Sequence, residues 1–178
     1  MTHTDRHWTP EEQKLVWNKA PFIDITRPEL GKLDTCRACI KEKYYGDRDS
    51  DYGWEIDHII PEKILKAAGV PQDLIDHIDN LRPMHWKNNL DKSDYFPKYP
   101  ATVSAAGNIN LSVIHRDYRI NRDQINVLYY LYKDYLELEI PSILGKWQIM
   151  VDREIASNDK FPISYFDDIV TPSIHDLD

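Results

Sequence analysis

The chain has 178 residues, of which 42% are hydrophobic and 29% charged, and its 30 acidic residues outnumber the 22 basic ones to give a net charge of -8. These values are typical of a globular protein with a packed core and exclude wholesale disorder. The apolar runs are too short to span a membrane, and the polar N-terminus lacks the apolar segment of a secretory signal. We therefore expect a cytoplasmic protein without a membrane partner.

The front of the chain is predicted to begin with a short helix followed by a loop. Thr9, Pro10 and Glu12 have the pattern of an N-cap, a first helical residue and a capping box, so the helix should start at Pro10. The loop carries Cys36 and Cys39, whose Cys-x-x-Cys spacing is that of a metal-binding or redox pair.

The next segment is predicted to contain two strands and several helical turns. A turn over 46–50 precedes a strand over 54–60, and a helical segment follows Pro61. Another turn of helix and a short strand fit within 71–84, and the sequence that begins at His85 has no Gly or Pro to break a helix. The predicted order is strand, helical segments, strand and helix.

The second half of the chain is predicted to be mainly helical. Residues 95–122 are rich in loop signals, whereas residues 123–139 have the apolar period of a helix. Ser142 should cap a second helix, so that the two helices form a hairpin packed on the front of the chain. The acidic stretch from Asn158 shows no assignable period.

Two titratable residues, Asp57 and His58, lie side by side near the end of the first predicted strand. Strict alternation puts Asp57 on one face with Glu55 and puts His58 on the other, among apolar residues, which predicts a histidine that faces the core. Because Pro61 ends the strand at once, a local loss of alternation would let both side chains reach one site. The strand alone leaves both interpretations open.

A second group of polar residues lies in the sequence NLRPMHWKNNLDKSD, residues 80–94. If its second half is helical, His85 and Asn89 are i,i+4 neighbours and Lys92 follows on the same face. Asparagine is unfavourable inside helices, so two in a row, Asn88 and Asn89, suggest that some helix stability is lost in favour of a function. The ordinary alternative is that both residues lie on an exposed polar face of the helix.

Together, these residues resemble the HNH, or ββα-metal, endonucleases. In that family an Asp-His pair closes the first strand, an Asn starts the second, and an Asn or His lies on the following helix, as Asp57, His58, Asn80 and Asn89 do here. The resemblance covers residues 36–94, a third of the chain, and extends to the HNH domain of RNA-guided CRISPR nucleases and to small bacterial and phage HNH enzymes.

The resemblance implies a role for each residue of the motif. His58 would be the general base that takes a proton from the attacking water, and Asn80 would hold the loop and the imidazole in place. Asp57 and Asn89 would bind one Mg²⁺ or Mn²⁺ ion that stabilises charge on the phosphorane and on the leaving 3′ oxygen. Lys92 would contact a phosphate.

Phosphate contacts have to come from local basic groups, because the chain is acidic overall. Arg82 flanks the motif, and Arg116, Arg119 and Arg122 would share one face if their segment were a helical turn. We therefore predict Arg82, Arg119 and Lys92 as substrate-binding residues, with ordinary surface charge as the alternative. Double-stranded DNA is the expected partner, and a homodimer or a regulatory or immunity partner would also suit this class.

The sequence departs from the family at the structural zinc site. Many HNH proteins hold zinc with two Cys-x-x-Cys pairs; Cys36 and Cys39 supply the first, but His85 and Asn88 occupy the positions of the second. His85 could bind zinc, whereas Asn88 is a poor ligand, so free buried thiols are the preferred interpretation.

The sequence thus predicts an α+β protein with a helical lead-in over 1–35, a ββα-metal HNH core over 36–95, and a mainly helical extension with an acidic tail over 96–178. The expected function is metal-dependent hydrolysis of DNA phosphodiester bonds. The alternative is a catalytically silent HNH-fold module that binds nucleic acid or protein. A further hypothesis is that the tail from Asn158 folds over the basic site and masks it as a DNA mimic would, but a tail that packs on the helical hairpin or is disordered is preferred.

Overall fold

The computed structural model of the protein describes residues 7–137 and 165–170. It contains both helices and strands, as expected for an α+β protein. The helices are α1 (Pro10–Trp17), α2 (Glu62–Ala67), α3 (Gln72–Ile75), α4 (Trp86–Lys92) and α5 (Arg122–Tyr132). The strands are β1 (Lys32–Leu33), β2 (Cys39–Ile40), β3 (Trp54–His58), β4 (Leu81–His85), β5 (Lys98–Ala106), β6 (Ile109–Arg119) and β7 (Asp168–Ile169). Across the described residues, every helix is too short or too polar to cross a membrane.

α1 begins at the residue that the sequence predicts. The Thr9 hydroxyl accepts a hydrogen bond from the backbone N–H of Glu12 at 3.2 Å, and the Glu12 carboxylate accepts one from the backbone N–H of Thr9 at 2.8 Å. This reciprocal capping box satisfies N–H groups that the first helical turn leaves without partners. The other end of α1 buries Val16 and Trp17.

β3, β4 and α4 follow one another as two antiparallel strands and a helix, in the predicted order. The register of the strands places Asp57 opposite Arg82. α4 begins directly after β4, where the Nδ1 atom of His85 accepts a hydrogen bond from the backbone N–H of Lys87 at 3.2 Å. The segment that joins β3 to β4 contains α2 and α3.

The side chains of β3 alternate between two environments through its last residue. Trp54 and Ile56 lie with α1 in one hydrophobic cluster. Asp57 is hydrogen-bonded to α4, whereas the ring of His58 lies 5.9 Å from that of Trp8, which packs against the cluster. Asp57 and His58 therefore point to opposite faces of the hairpin, as strict alternation predicts.

The larger hydrophobic core lies among β5, β6, α5 and the segment that joins β3 to β4. Its buried members include Ile59, Ile60, Leu65, Ile75, Met84, Tyr99, Tyr118, Ile120, Leu128 and Tyr132. The hydroxyl of Tyr132 donates a hydrogen bond to the backbone carbonyl of Leu74 at 2.8 Å, which ties α5 to α3. This core supports the turn that follows β3.

The prediction that residues 95–122 form a loop is wrong, because β5 and β6 pair as a long antiparallel hairpin. β5 buries every second residue from Tyr99 to Val103, which is the period of a strand. Pro100 is compatible with this strand because β5 lies at the edge of its sheet. The domain assigned to 96–178 thus begins with β structure rather than with a loop before a helical hairpin.

The hairpin also corrects the arrangement of three arginines. Arg116 and Arg119 lie on β6, and Arg122 is the first residue of α5, so they do not share a helical face. Arg119 is exposed, and its role in substrate binding stays a prediction. The predicted helix from Ser142, and the helical hairpin that it would complete, lie outside the described residues.

The described part of the acidic tail, residues 165–170, packs on the sheet. Its strand β7 pairs antiparallel with β6, with Tyr118 opposite Ile169. The side chain of Asp167 is fully buried, and its Oδ1 atom accepts a hydrogen bond from the backbone N–H of Asn121 at 3.2 Å. Residues 165–170 thus pack on the sheet, whereas the predicted helical hairpin, the expected packing partner of the tail, lies partly outside the described residues.

Candidate active site

His58 is the last residue of β3, and 18% of its side chain is exposed. Its Nε2 atom lies 2.8 Å from the Oδ1 atom of Asp76, directly after α3. The carboxylate of Asp76 is nearly buried, with 5% exposed, so it fixes the position of the imidazole. A histidine held by a carboxylate and still reached by solvent is the usual arrangement of a general base and the group that orients it.

A glutamine and a second carboxylate surround Asp76. The Nε2 atom of Gln72 donates hydrogen bonds to Asp76 Oδ2 at 2.6 Å and to Glu62 Oε1 at 3.2 Å. Partial burial alone would raise the pKa of Glu62, but hydrogen bonds from Lys66 and Gln72 and the nearby His58 lower it. His58 therefore lies beside the carboxylate of Asp76 and close enough to that of Glu62 to interact with it electrostatically.

Asn80 holds the turn that follows His58. Its side chain is fully buried and exchanges two hydrogen bonds with the backbone of Ile60, at 2.9 and 3.2 Å. Its Nδ2 atom also donates to the carbonyl of Ile75 at the end of α3, at 3.0 Å. Asn80 thus joins the end of β3 to the helix that precedes Asp76 through backbone groups, and the predicted role of holding the loop and the imidazole stays a prediction.

Asp57 lies in the interior, on the face opposite to His58. Its Oδ2 atom accepts a hydrogen bond from Arg82 Nε and its Oδ1 atom one from Lys92 Nζ, each at 2.8 Å. Burial alone would raise the pKa of Asp57, but attraction to Lys92 and Arg82 lowers it below its ordinary value. Asp57 is therefore ionised and held by two cations.

Asp57, Arg82, Lys92 and Asp167 together form a buried charge network. Arg82 Nη1 donates to Asp167 Oδ2 at 2.7 Å, and that oxygen also accepts a hydrogen bond from the hydroxyl of Tyr99. No member exposes more than 5% of its side chain. Two carboxylates and two cations balance each other inside the protein.

The network overturns two substrate-binding predictions. The side chain of Arg82 is 0% exposed and that of Lys92 is 1% exposed. A phosphate could not approach either group without opening the core, because both donate to carboxylates there. Their position next to the motif made them resemble surface cations, but their partners make them core residues.

Asn89, the second predicted metal ligand, has a different partner from Asp57. Its Nδ2 atom donates to Glu55 Oε2 at 2.9 Å, and the other oxygen of Glu55 accepts from Arg48 Nε at 2.5 Å. Over the described ranges, 7–137 and 165–170, no three His, Cys, Asp or Glu side chains are grouped as a metal site. Asp57, with each oxygen bonded to a cation, does not fit a divalent ion.

The predicted zinc residues also have other partners. Cys36 Sγ lies 3.3 Å from the hydroxyl of Tyr99, and Cys39 Sγ lies 3.5 Å from the carbonyl of Leu30. Burial raises the pKa of both thiols, that of Cys39 to about 11, which disfavours the thiolate that zinc requires. Both ring nitrogens of His85 are hydrogen-bonded, Nδ1 to a backbone N–H and Nε2 to a backbone carbonyl.

A buried carboxylate, that of Asp34, joins the segment of Cys36 to the segment of His85 and Asn88. Its Oδ1 atom accepts from the backbone N–H groups of Cys36 and Ala38 at 2.9 and 2.7 Å. Its Oδ2 atom accepts from the backbone N–H of His85 and from Asn88 Nδ2, both at 3.1 Å. Burial raises the pKa of Asp34 to about 6, against the effect of these four donors.

Asp34→Asn should therefore lower the free energy of unfolding by about 2–4 kcal/mol, because one oxygen that accepts two hydrogen bonds becomes an amide that faces buried donors. Urea unfolding followed by circular dichroism would measure the loss. Asp24→Asn is the matched control, since Asp24 accepts similar local hydrogen bonds from Thr26 in an exposed turn. An equal loss in the two variants would contradict the structural role of Asp34.

No protein-family model matches the chain, and no curated protein or solved structure is detectably similar to it. The site is therefore interpreted from its own contacts. Asp76, Glu62 and Gln72 were not predicted as site residues. The i,i+4 spacing of Gln72 and Asp76 was a usable signal, because it places the two side chains together if the segment is helical. The contact of Asp76 with His58, in contrast, depends on how the joining segment folds back on β3.

Proposed function

We propose that the protein hydrolyses phosphodiester bonds of double-stranded DNA, with His58 as the general base. The observation that supports this proposal is the position of His58 at the end of β3, hydrogen-bonded to Asp76 and followed by the turn that Asn80 holds. β3, β4 and α4 succeed one another in the order of the HNH, or ββα-metal, endonucleases that the sequence resembles.

The proposed chemistry uses the imidazole and its carboxylate partner. His58 would take a proton from a water molecule that attacks the phosphorus atom, and the negative charge of Asp76 would stabilise the resulting imidazolium. The bond from phosphorus to the 3′ oxygen would break, and the departing 3′ oxygen would take a proton from solvent water. Gln72 would hold Asp76 in place through its 2.6 Å hydrogen bond. Because Asp57 does not fit a divalent ion, no step of this scheme uses a metal at that residue.

Plasmid nicking tests the proposal. His58→Ala should reduce the rate by about 10²–10⁴-fold, the usual contribution of a general base. His77→Ala is the matched control, because His77 lies in the same segment with 40% of its side chain exposed. Assays in Mg²⁺, in Mn²⁺ and in EDTA would also reveal any need for a divalent ion. Equal nicking by wild type and His58→Ala, or none by wild type under all three conditions, would contradict the proposal.

The second candidate function is a non-catalytic module that binds nucleic acid or protein. It is favoured by one observation, the balanced charge network that holds Asp57 away from any ion or substrate. In this case a labelled duplex or a protein partner should bind with the same affinity to wild type and to His58→Ala, without cleavage. Cleavage that depends on His58 would exclude the module as the whole function.

A further inference from the structure

We infer that the ammonium group of Lys92 takes the position predicted for a divalent ion between β3 and α4, so that Asp57 and Asn89 bind neither Mg²⁺ nor Mn²⁺. The inference deepens the proposed function and rests on it in one respect only, the position at which a divalent ion is expected. Lys92 is then a buried cation that belongs to the fold, whereas the sequence suggests that it contacts a phosphate of the substrate.

The surroundings of Lys92 are those that a metal ion would seek. Its Nζ atom lies 2.8 Å from Asp57 Oδ1 and 2.8 Å from the backbone carbonyl oxygen of His58. Carboxylate and carbonyl oxygens are the ligands preferred by Mg²⁺ and by other hard divalent cations. An ammonium group has three N–H donors, and here two of them meet these oxygens. Lys92 therefore satisfies the oxygen atoms that would otherwise be available to an ion.

Charge balance opposes an additional ion at this position. The carboxylates of Asp57 and Asp167 already match the cations of Arg82 and Lys92, and all four side chains are buried. A divalent ion would leave two uncompensated positive charges in the interior, which is costly unless an anion enters with it. The ion could be accommodated only if Lys92 left the network.

The other predicted ligand is also held away from such an ion. The amide of Asn89 donates to Glu55 at 2.9 Å, and Glu55 is in turn paired with Arg48. Asn89 and Asp57 thus belong to two separate sets of hydrogen bonds, although both lie on the interface between β3 and α4. A metal site would require both sets to be broken.

Binding of Mn²⁺ to the chain of 178 residues, measured by calorimetry and by the electron paramagnetic resonance signal of free Mn²⁺, tests the inference without DNA. Wild type should have no saturable Mn²⁺ site that depends on Asn89. Wild type and Asn89→Ala should therefore give the same Mn²⁺ binding curve. Lys92→Met removes the ammonium but keeps an apolar stem of similar length, so it should show saturable Mn²⁺ binding with an apparent Kd at least about tenfold below the highest concentration at which wild type stays unsaturated. Lys63→Met is the control, because Lys63 forms only an exposed ion pair with Asp94.

Two results would overturn the inference. The first is one Mn²⁺ ion bound per wild-type chain and lost in Asn89→Ala, a measurement that does not depend on whether Lys92→Met folds. The second is a Lys92→Met variant that is folded by circular dichroism but gains no affinity over Lys63→Met. The readout is metal binding and does not depend on DNA cleavage. If the protein cleaves no DNA but shows the expected Mn²⁺ binding, the proposed function is contradicted and the inference about Lys92 stands.

Discussion

Asp167→Ala should lower the free energy of unfolding by about 3–5 kcal/mol, the range expected when a buried ion pair loses one partner. The guanidinium of Arg82 is completely buried and donates to Asp167 at 2.7 Å, so the substitution leaves its charge with Asp57 as the remaining carboxylate. The hydroxyl of Tyr99 and the backbone N–H of Asn121 lose an acceptor at the same time. Urea unfolding monitored by circular dichroism would measure the change in midpoint and slope.

Asp168→Ala supplies the matched control for this prediction. Asp168 is the next residue along the chain and lies in β7, but its side chain is exposed. An exposed substitution outside such a network usually changes stability by about 0.5 kcal/mol or less. Similar stabilities for Asp167→Ala and Asp168→Ala would show that the buried charge network contributes little.

The role of Asp167 changes how the acidic tail can be studied. Truncation after Ser157 would remove a possible mask from the site, but it would also remove Asp167 from the core. Altered DNA cleavage by the truncated chain could then result from lost stability rather than from unmasking. Exposed tail residues such as Asp168 are better positions for substitutions that test masking, because the charge network stays complete.

The order of β3, β4 and α4 was predictable because its signals are local. Strand alternation, the break at Pro61 and the absence of Gly and Pro after His85 all act within a few residues. The hairpin over 98–119 was missed for the same reason. Its prolines gave local loop signals, whereas the burial that stabilises it comes from packing against distant parts of the chain.

The partners of the charged residues could not be predicted in the same way. Pairing of Asp57 with Arg82 follows from strand register, and pairing of Arg82 with Asp167 joins residues 85 positions apart. From the sequence alone, a cation near a His and an Asp resembles a phosphate contact. Burial makes it a core counter-ion instead, and a single sequence without its fold does not reveal burial.

Asp76→Asn should reduce cleavage by about 10²-fold or more if His58 is the general base. An asparagine keeps the size of the aspartate and one acceptor oxygen, but its neutral amide cannot stabilise the imidazolium that forms when His58 takes a proton. A carboxylate beside an imidazole favours the protonated form, so its removal should also move the acidic limb of the pH–rate profile to lower pH. Plasmid nicking between pH 5 and 9 would measure both effects.

The direction of this pH shift separates a positioning role from a purely structural one. If Asp76 only stabilised α3, the variant would be less stable, but its folded fraction would keep the wild-type pH profile. Asp73→Asn is the matched control, because Asp73 lies on α3, just before Asp76 in the chain, and has an exposed side chain. Its rate and pH profile should equal those of wild type. A folded Asp76→Asn variant with the wild-type rate and pH profile would show that Asp76 takes no part in the mechanism. The general-base role proposed for His58 would then lose the support of its contact with Asp76.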